Sequence, residues 1–437
     1  MKTYIFALMS ALLLTVTPVV AEDTVAIINA HIIDGNGGTP IQNGIVIVRG
    51  EKIEAVGPSV QIPEGATIID AEGRTVMPGL ADMHVHLAAA TKSSGRDILG
   101  YQKRLNALMY AGVTTVFDTG NFLPFVAQLK QEINAGRIVG PSIYYVGPLI
   151  ETADPNWPLI SRSMVSNSQA GSIVRHLKKN GAAAVKAYGR LSTPQIRALT
   201  WAAKKEGLPV IVDVWIRNGS EYLMTSGIRA FGHIPNKVSD SSVQAMKENE
   251  IFIITTNSGR SGELRLVDPS YMTHPLITDT TDQRILDRTL EEAKDIKTTD
   301  AYKFKETFIP KVLANTKKLS DGGVLLVAGT DGAASGVFLG ESLHHELEML
   351  VSAGLTPLQA ITTATKNAAL LLKDLDTWGT LEVGKRADIL IINGRPDQNI
   401  SDTRKIDLVM QRGRIIDRDA LKIENNNAPV FVEFDPS

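Results

Sequence analysis

His84 and His86 stand two residues apart in Asp82-Met83-His84-Val85-His86-Leu87. In an extended strand alternate side chains share a face, so both imidazoles point the same way and could hold one divalent ion. The competing reading is a pair of buried, hydrogen-bonded histidines. The chain has 8 His and 0 Cys. Thiolate sites, disulfides and a cysteine nucleophile are therefore excluded, and any metal must be held by nitrogen and oxygen donors.

Three more residues extend this pattern. Lys186 interrupts the apolar run Ala183-Ala184-Val185-Lys186-Ala187-Tyr188. A buried lysine is costly as a cation. It can pair with a carboxylate, or as a neutral amine it can take up CO2 and become a carbamate, N6-carboxylysine, able to bridge two metals. His233 closes Ala230-Phe231-Gly232-His233, and Asp331 closes Val327-Ala328-Gly329-Thr330-Asp331. His233 could pack or ligate. Asp331 could cap a helix, or it could bind metal and move a proton between water and a leaving amine.

Weaker candidates surround these. Tyr188 and Arg190 follow Lys186 and could contact a substrate oxygen and a carboxylate; for Arg190 a surface ion pair competes. His344 and His345 follow Asp331 by 13 and 14 residues; one of them, taken here as His345, could reach the site. Trp157, in Asn156-Trp157-Pro158, could line a pocket. His274 reads as a surface residue, and His31 and His176 receive no catalytic role.

These side chains need a scaffold that gathers distant segments. Strand signals recur at Ala81–Leu87, Val113–Asp118, Ser142–Val146, Ala183–Tyr188, Val210–Val214, Ala230–His233, Ile251–Thr255 and Val324–Ala328. Helical patterns such as Thr193–Lys205, Ser241–Glu248 and Ser342–Ala353 alternate with them. The pattern predicts an α/β chain with a (β/α)8 TIM barrel over residues 78–372, and the candidates fall at strand C-termini, where such barrels keep their chemistry. An insertion at about 258–300 is expected to begin irregular and turn helical over Thr281–Lys297. Residues 22–77 and 373–437 contain short β-branched runs punctuated by glycine. Neither end can bury a core alone, so both are expected to build one composite β-sandwich.

The 437-residue length suits a large barrel with a satellite domain. A net charge of −2 sets up no strong field for nucleic acid or an acidic membrane. Residues 1–21 read as a secretory signal peptide, with Lys2, an apolar run and a cut after Ala21. The expectation is a periplasmic or secreted protein, off the membrane after cleavage, that acts on a small molecule and could form a homo-oligomer.

Taken together, Pro78-Gly79-Leu80 with His84 and His86, Val185-Lys186, Gly232-His233 and Gly329-Thr330-Asp331-Gly332 resemble the amidohydrolase superfamily. The similarity is to its imidazolonepropionase-like and Xaa-Pro-dipeptidase-like branch. The tail agrees through Ala353-Gly354-Leu355-Thr356-Pro357, Thr363-Ala364-Thr365-Lys366-Asn367-Ala368-Ala369 and Gly384-Lys385-Arg386-Ala387-Asp388. The resemblance implies a urease-like small sandwich and a site for one or two divalent ions, zinc first among them. His84, His86 and Asp331 would hold one ion, carboxylated Lys186 would bridge, and His233 would help hold the second. It implies hydrolysis of C–N amide bonds, in a dipeptide, N-acyl amino acid or cyclic amide, with Asp331 as proton shuttle. Lactone or phosphotriester hydrolysis is the alternative on the same site.

One position departs. The branch usually carries a histidine at the end of the fifth strand, where this chain has Asp213, 20 residues before His233. A second histidine often follows two residues later, where Trp215 stands. Asp213 could ligate directly, bind through water, or mark a one-metal or degenerate site, which would make the chain a binding protein. A one-metal deaminase fits less well, because it has no use for a strand-four lysine.

Overall fold

A computed structural model describes residues 24–88, 100–214, 221–332 and 334–423. The segment expected to be a signal peptide and Trp215 lie outside these residues.

Eight strands run parallel in chain order: Leu80–Val85, Val113–Asp118, Ser142–Tyr145, Val185–Ala187, Val210–Asp213, Ala230–Gly232, Phe252–Ile254 and Leu326–Val327. Two seams close the ring. Between the third and fourth strands the Ala183 amide donates to the Tyr145 carbonyl at 2.7 Å. Between the eighth and first, the Met83 amide donates to the Ala328 carbonyl at 3.0 Å and the Asp331 amide to the His84 carbonyl at 2.8 Å. The fold is a TIM barrel with a β-sandwich built onto it.

Side-chain alternation sorts the strands into two apolar layers. Ala81, Met83, Phe117, Ala184, Ile211, Ala230, Phe252, Ile254 and Val327 fill the barrel with Ala368, Leu371 and Trp378. Leu80, Val113, Val116, Val185, Val210, Val212 and Phe231 face the helices outside. The strand-four and strand-five runs therefore aim Lys186 and Asp213 inward along with Ala184 and Ile211.

The first strand breaks this rule. Its pairing shifts between Asp82↔Val116 and Val85↔Asp118, so three residues on one strand span two on the other. Such a bulge reverses the phase of every side chain beyond it. Met83 stays in the barrel core, and His84 and His86 beyond it face the barrel axis.

Local chemistry accounts for the helices. Thr193–Lys205 starts at Ser192, which accepts from the Gln195 amide while the Gln195 side chain reaches back to the Ser192 amide. The insertion after strand seven starts differently from the expectation. Asn257–Arg265 is a helix, not an irregular lead-in, despite two glycines. Glycine and serine are weak helix formers, but Asn257 to Gly262 are all buried. Glu346, on the helix Glu341–Ser352, accepts from the Ser258 amide at 2.6 Å and from the Thr255 hydroxyl. Tertiary anchoring overrides propensity there. Gln283–Lys294 is helical, matching the charge-dense half of the insertion.

The small domain is one hydrogen-bonded sheet drawn from both ends of the chain. Thr24–Ile32 pairs antiparallel with Ile41–Arg49 on one side. On the other it pairs parallel with Thr67–Asp70, then with Thr75–Pro78. Ile389–Ile392 adds to Thr75–Pro78 and carries Ile406–Gln411. Ile27, Ile32, Val46, Val48 and Val76 share a core with Leu381, Ile389, Ile391 and Met410. Gly79 alone separates Thr75–Pro78 from the first barrel strand. Among the described residues, no helix is long and apolar enough to cross a membrane.

Candidate active site

His84 and His86 arrive at the top of the barrel from strand one, and Asp331 from the loop after strand eight. Asp331 Oδ1 lies 3.6 Å from His84 Nε2 and 3.4 Å from His86 Nε2. One donor atom from each of the three lies within 4.8 Å of the other two. Among the described residues, this trio is the one group of His and carboxylate donors so arranged. His86 Nδ1 pairs with the Gly120 carbonyl at 3.1 Å, which fixes the ring from behind.

A second cluster adjoins the first. His233 packs its ring 4.8 Å from that of His84, centroid to centroid. Its Nε2 lies 3.1 Å from Asp213 Oδ2, and its Nδ1 lies 2.6 Å from the Thr256 hydroxyl. The same Asp213 oxygen is 3.5 Å from Lys186 Nζ. Lys186 and Asp213 are each 1% exposed. The strand-five aspartate therefore faces Lys186 and His233 directly.

The backbone is strained where these groups converge. His233, Thr256 and Asp331, at the ends of strands six, seven and eight, have φ of 77°, 51° and 57°. Left-handed backbone is costly for a β-branched residue such as Thr256, and strain of this kind collects at functional sites. For His233 the turn has a visible consequence. Ala230 lies in the barrel and Phe231 outside it, so plain alternation would point His233 outward. Two glycines make room for the cluster. A β-carbon on Gly232 would stand 2.7 Å from Lys186 Nζ, and one on Gly329 would stand 2.8 Å from His84 Cβ.

Electrostatics sets the protonation states. Burial drives His84 well below its ordinary value, aided by the Lys186 charge. Burial also lowers His233, against the pull of Asp213. Burial alone would raise Asp331, but His84, a hydrogen bond from His86, and His233 hold it well below the carboxylate range. His84 and His233 are thus neutral and Asp331 ionised, the forms that bind a divalent cation, whereas His86 is raised, against the effect of burial, by its hydrogen bond to Asp331 and that carboxylate's charge. His84 Nδ1 and Lys186 Nζ, both buried, have no hydrogen-bond partner among the described residues. The donor set therefore fits a metal.

Buried carboxylates support the ligands from behind. Asp82 accepts from the Thr330 amide at 3.0 Å, the Thr330 hydroxyl at 2.6 Å and the His84 amide at 3.2 Å. Burial pushes it up to about 7. Asp118 accepts from the Leu87 amide at 2.9 Å and Asn121 Nδ2 at 2.7 Å. Sequence reasoning passed over both. Asp82 sits two residues before His84, and Asp118 ends strand two; a carboxylate inside an apolar strand was the available signal.

The outer candidates separate. Tyr188 is linked to the site, for the charges of Asp213 and Asp331 reinforce the effect of burial in raising its phenol. Trp157 Nε1 donates to the Tyr188 hydroxyl at 3.0 Å, so these two residues form one wall. Arg190 is exposed, with Asp154 at 3.5 Å. His345 pairs with Glu348 at 3.6 Å in an ion network with Glu341, Arg265 and Arg404, away from the histidine–aspartate group. Its helix presents it there because Glu348 lies three residues on, one turn along the same face. His344 is buried between the Thr403 hydroxyl and the Ala111 carbonyl, each at 3.0 Å. His274 caps the short helix Pro275–Thr278.

A closed parallel barrel thus carries imidazoles, a lysine and carboxylates at its strand C-termini, the end where TIM-barrel enzymes keep their chemistry. Residues 75–416 match the Amidohydrolase family, and the chain belongs to that family. Among solved structures it is similar to a Xaa-Pro dipeptidase crystallised with methionine in its active site. That match has a TM-score of 0.72 and 21% identity, and covers 90% of this chain and 100% of that one. It is also similar to a putative prolidase from Bifidobacterium longum, with a TM-score of 0.72 and 25% identity over 92% of this chain and 98% of that one. A dihydroorotase from Anaplasma phagocytophilum is 37% identical over 108 residues, 24% of this chain and 23% of that enzyme. The match thus spans under a quarter of that relative's length.

Proposed function

We propose that this protein is an exported metal-dependent amidohydrolase that cleaves a C–N amide bond in a dipeptide, N-acyl amino acid or cyclic amide. The observation that carries this reading is the convergence of His84, His86 and Asp331 within 4.8 Å of one another at the strand C-termini. These three would hold one divalent ion, with zinc the first candidate. Lys186, Asp213 and His233 would hold a second, with Asp213 taking the place of the usual imidazole through an oxygen donor. When bound, such ions make water nucleophilic near neutral pH and polarise a carbonyl.

The remaining chemistry belongs to the chain. Asp331, ionised and half-buried, accepts the proton from the attacking water and returns it to the leaving nitrogen. Addition of the neutral Lys186 Nζ to CO2, with loss of one proton, forms the carbamate, an anion that would add oxygen donors between the two clusters. Tyr188 and Trp157 form a wall against which the acyl group can lie.

The test is metal analysis of the purified protein, followed by a panel of dipeptides, N-acyl amino acids, cyclic amides, a lactone and a phosphotriester. The expected result is amide turnover, lowered about 10²- to 10⁴-fold by Asp331→Asn. Ester or lactone turnover without amide turnover would replace the substrate class. The departure at Asp213 favours one second reading, a binding protein that keeps the barrel without turnover. Inactivity toward the whole panel with zinc, manganese, cobalt and bicarbonate supplied would favour it.

A further inference from the structure

The helix Asn257–Arg265 leaves strand seven and carries two buried polar side chains, Asn257 and Arg260. Thr256, the residue before it, touches His233 through its hydroxyl at 2.6 Å. Arg260 follows Thr256 by four residues, one turn up on the same helix face. Helical side chains lean back toward the N-terminus, so the Arg260 stem leans toward Thr256 and His233. The backbone between them lies against the proton shuttle. A β-carbon on Gly259 would be 2.8 Å from Asp331 Cβ and 2.5 Å from the Thr330 carbonyl oxygen.

Arg260 is 2% exposed and among the largest fully enclosed side chains of the protein. Burial lowers its guanidinium to about 10, with the charges of Asp213 and Asp331 acting against the drop. It therefore stays cationic at neutral pH, and the two carboxylates whose fields reach it are the site's own. Asn257, three residues earlier on the adjoining face, is 0% exposed. Neither its amide nitrogen nor its side-chain oxygen has a hydrogen-bond partner among the described residues. A fully buried carboxamide without a partner is rare, because leaving it unpaired is costly. The helix N-terminus adds a favourable field for an anion.

From these positions we infer that Arg260 and Asn257 form a receptor for a carboxylate carried by the substrate, next to the amide that is cleaved. The guanidinium takes the anion, and the Asn257 amide donates a further hydrogen bond. The substrate class narrows to molecules with a free carboxylate close to the scissile bond, such as dipeptides and N-acyl amino acids, over neutral amides. This inference rests on the amidohydrolase reading.

The experiment compares matched pairs on the metal-loaded protein: N-acetyl-L-leucine with N-acetyl-L-leucinamide, and a dipeptide with its C-terminal amide. Binding of L-leucine and L-leucinamide is measured beside turnover by calorimetry. The wild type should favour the carboxylate member in both assays. Arg260→Gln should collapse that preference by roughly 100-fold, the scale for removing one partner of a buried charge pair. Asn257→Ala should collapse it less, and Arg260→Lys should restore part of it. Equal losses on carboxylate and amide, with the binding preference intact, would overturn the receptor and leave the hydrolase standing. Absence of turnover on every pair with normal metal content would count against the hydrolase reading, and the calorimetry would still decide the receptor.

Discussion

Replacing Glu341 with glutamine tests the ion network that ties the site loops to the tail of the chain. Glu341 opens the helix that follows the Asp331 loop and is 1% exposed. Its carboxylate receives Arg265 Nη1 at 2.8 Å and Nη2 at 2.5 Å, from the end of Asn257–Arg265, and Arg404 Nη2 at 3.1 Å. Burial pushes the carboxyl up, but the Arg265 hydrogen bonds and the charges of Arg265, Arg404 and His345 bring it from 4.5 down to about 2. At about 1.4 kcal/mol per unit, the ionised form is worth roughly 3 kcal/mol to the fold. Because the folded value lies below the unfolded one, this stabilisation is complete above the ordinary glutamate value and fades as pH falls toward 2. Glutamine keeps the volume and one acceptor but cannot ionise. Urea unfolding at 25 °C should therefore show Glu341→Gln less stable by about 3 kcal/mol at pH 7 and by about 1.4 kcal/mol at pH 3, with little change in added salt because the group is buried. A loss below about 1 kcal/mol at pH 7, or one that does not shrink in acid, would show that Arg265 and Arg404 do not hold Glu341 ionised to the benefit of the fold.

Other outcomes follow from the same structure. Gly232→Ala places a methyl 2.7 Å from Lys186 Nζ and 3.7 Å from His84 Cε1. It should cost about 1–3 kcal/mol and lower the metal content measured by mass spectrometry; an unchanged metal count would show the pocket to be looser than described. His344, held near 3 chiefly by burial, stays neutral in the fold while the unfolded chain takes up its proton, so stability should decline as pH drops from about 6.5 toward 3. His344→Gln should flatten that decline in pH-dependent thermal melts, and an identical slope would locate the acid sensitivity elsewhere. Dialysis against a chelator should abolish amide turnover, and readdition of zinc, cobalt or manganese should return it. Turnover that survives removal of all divalent ions would exclude the proposed site.

Much of the fold could be read directly from residue order. The alternating strand and helix signals define the barrel, because a parallel sheet needs helical crossovers and buried strands appear as short apolar runs. The ligand pattern was also legible for a local reason. A spacing of two keeps His84 and His86 on one face, whatever the strand's surroundings, and a lysine inside Ala183–Tyr188 stands out against its apolar neighbours.

What the chain order could not show was phase. The bulge between Asp82 and Val85 decides that His84 and His86 face the barrel axis beyond Met83, and a bulge depends on the partner strand as much as on its own residues. The left-handed turn at His233 brings its ring toward Asp213 and His84 against plain alternation. The helix at Asn257–Arg265 forms from weak helix formers because Glu346, 88 residues away, accepts its first amides. That long-range contact fixes the start of the helix that carries Asn257 and Arg260, while His345 pairs with Glu348 one turn along its own helix. Residue types and local spacing determined which chemistry was available. The sharing of one space among groups from different strands was decided by tertiary packing, since pairing register and backbone strain at the strand ends are properties of neighbours that lie far apart in the chain.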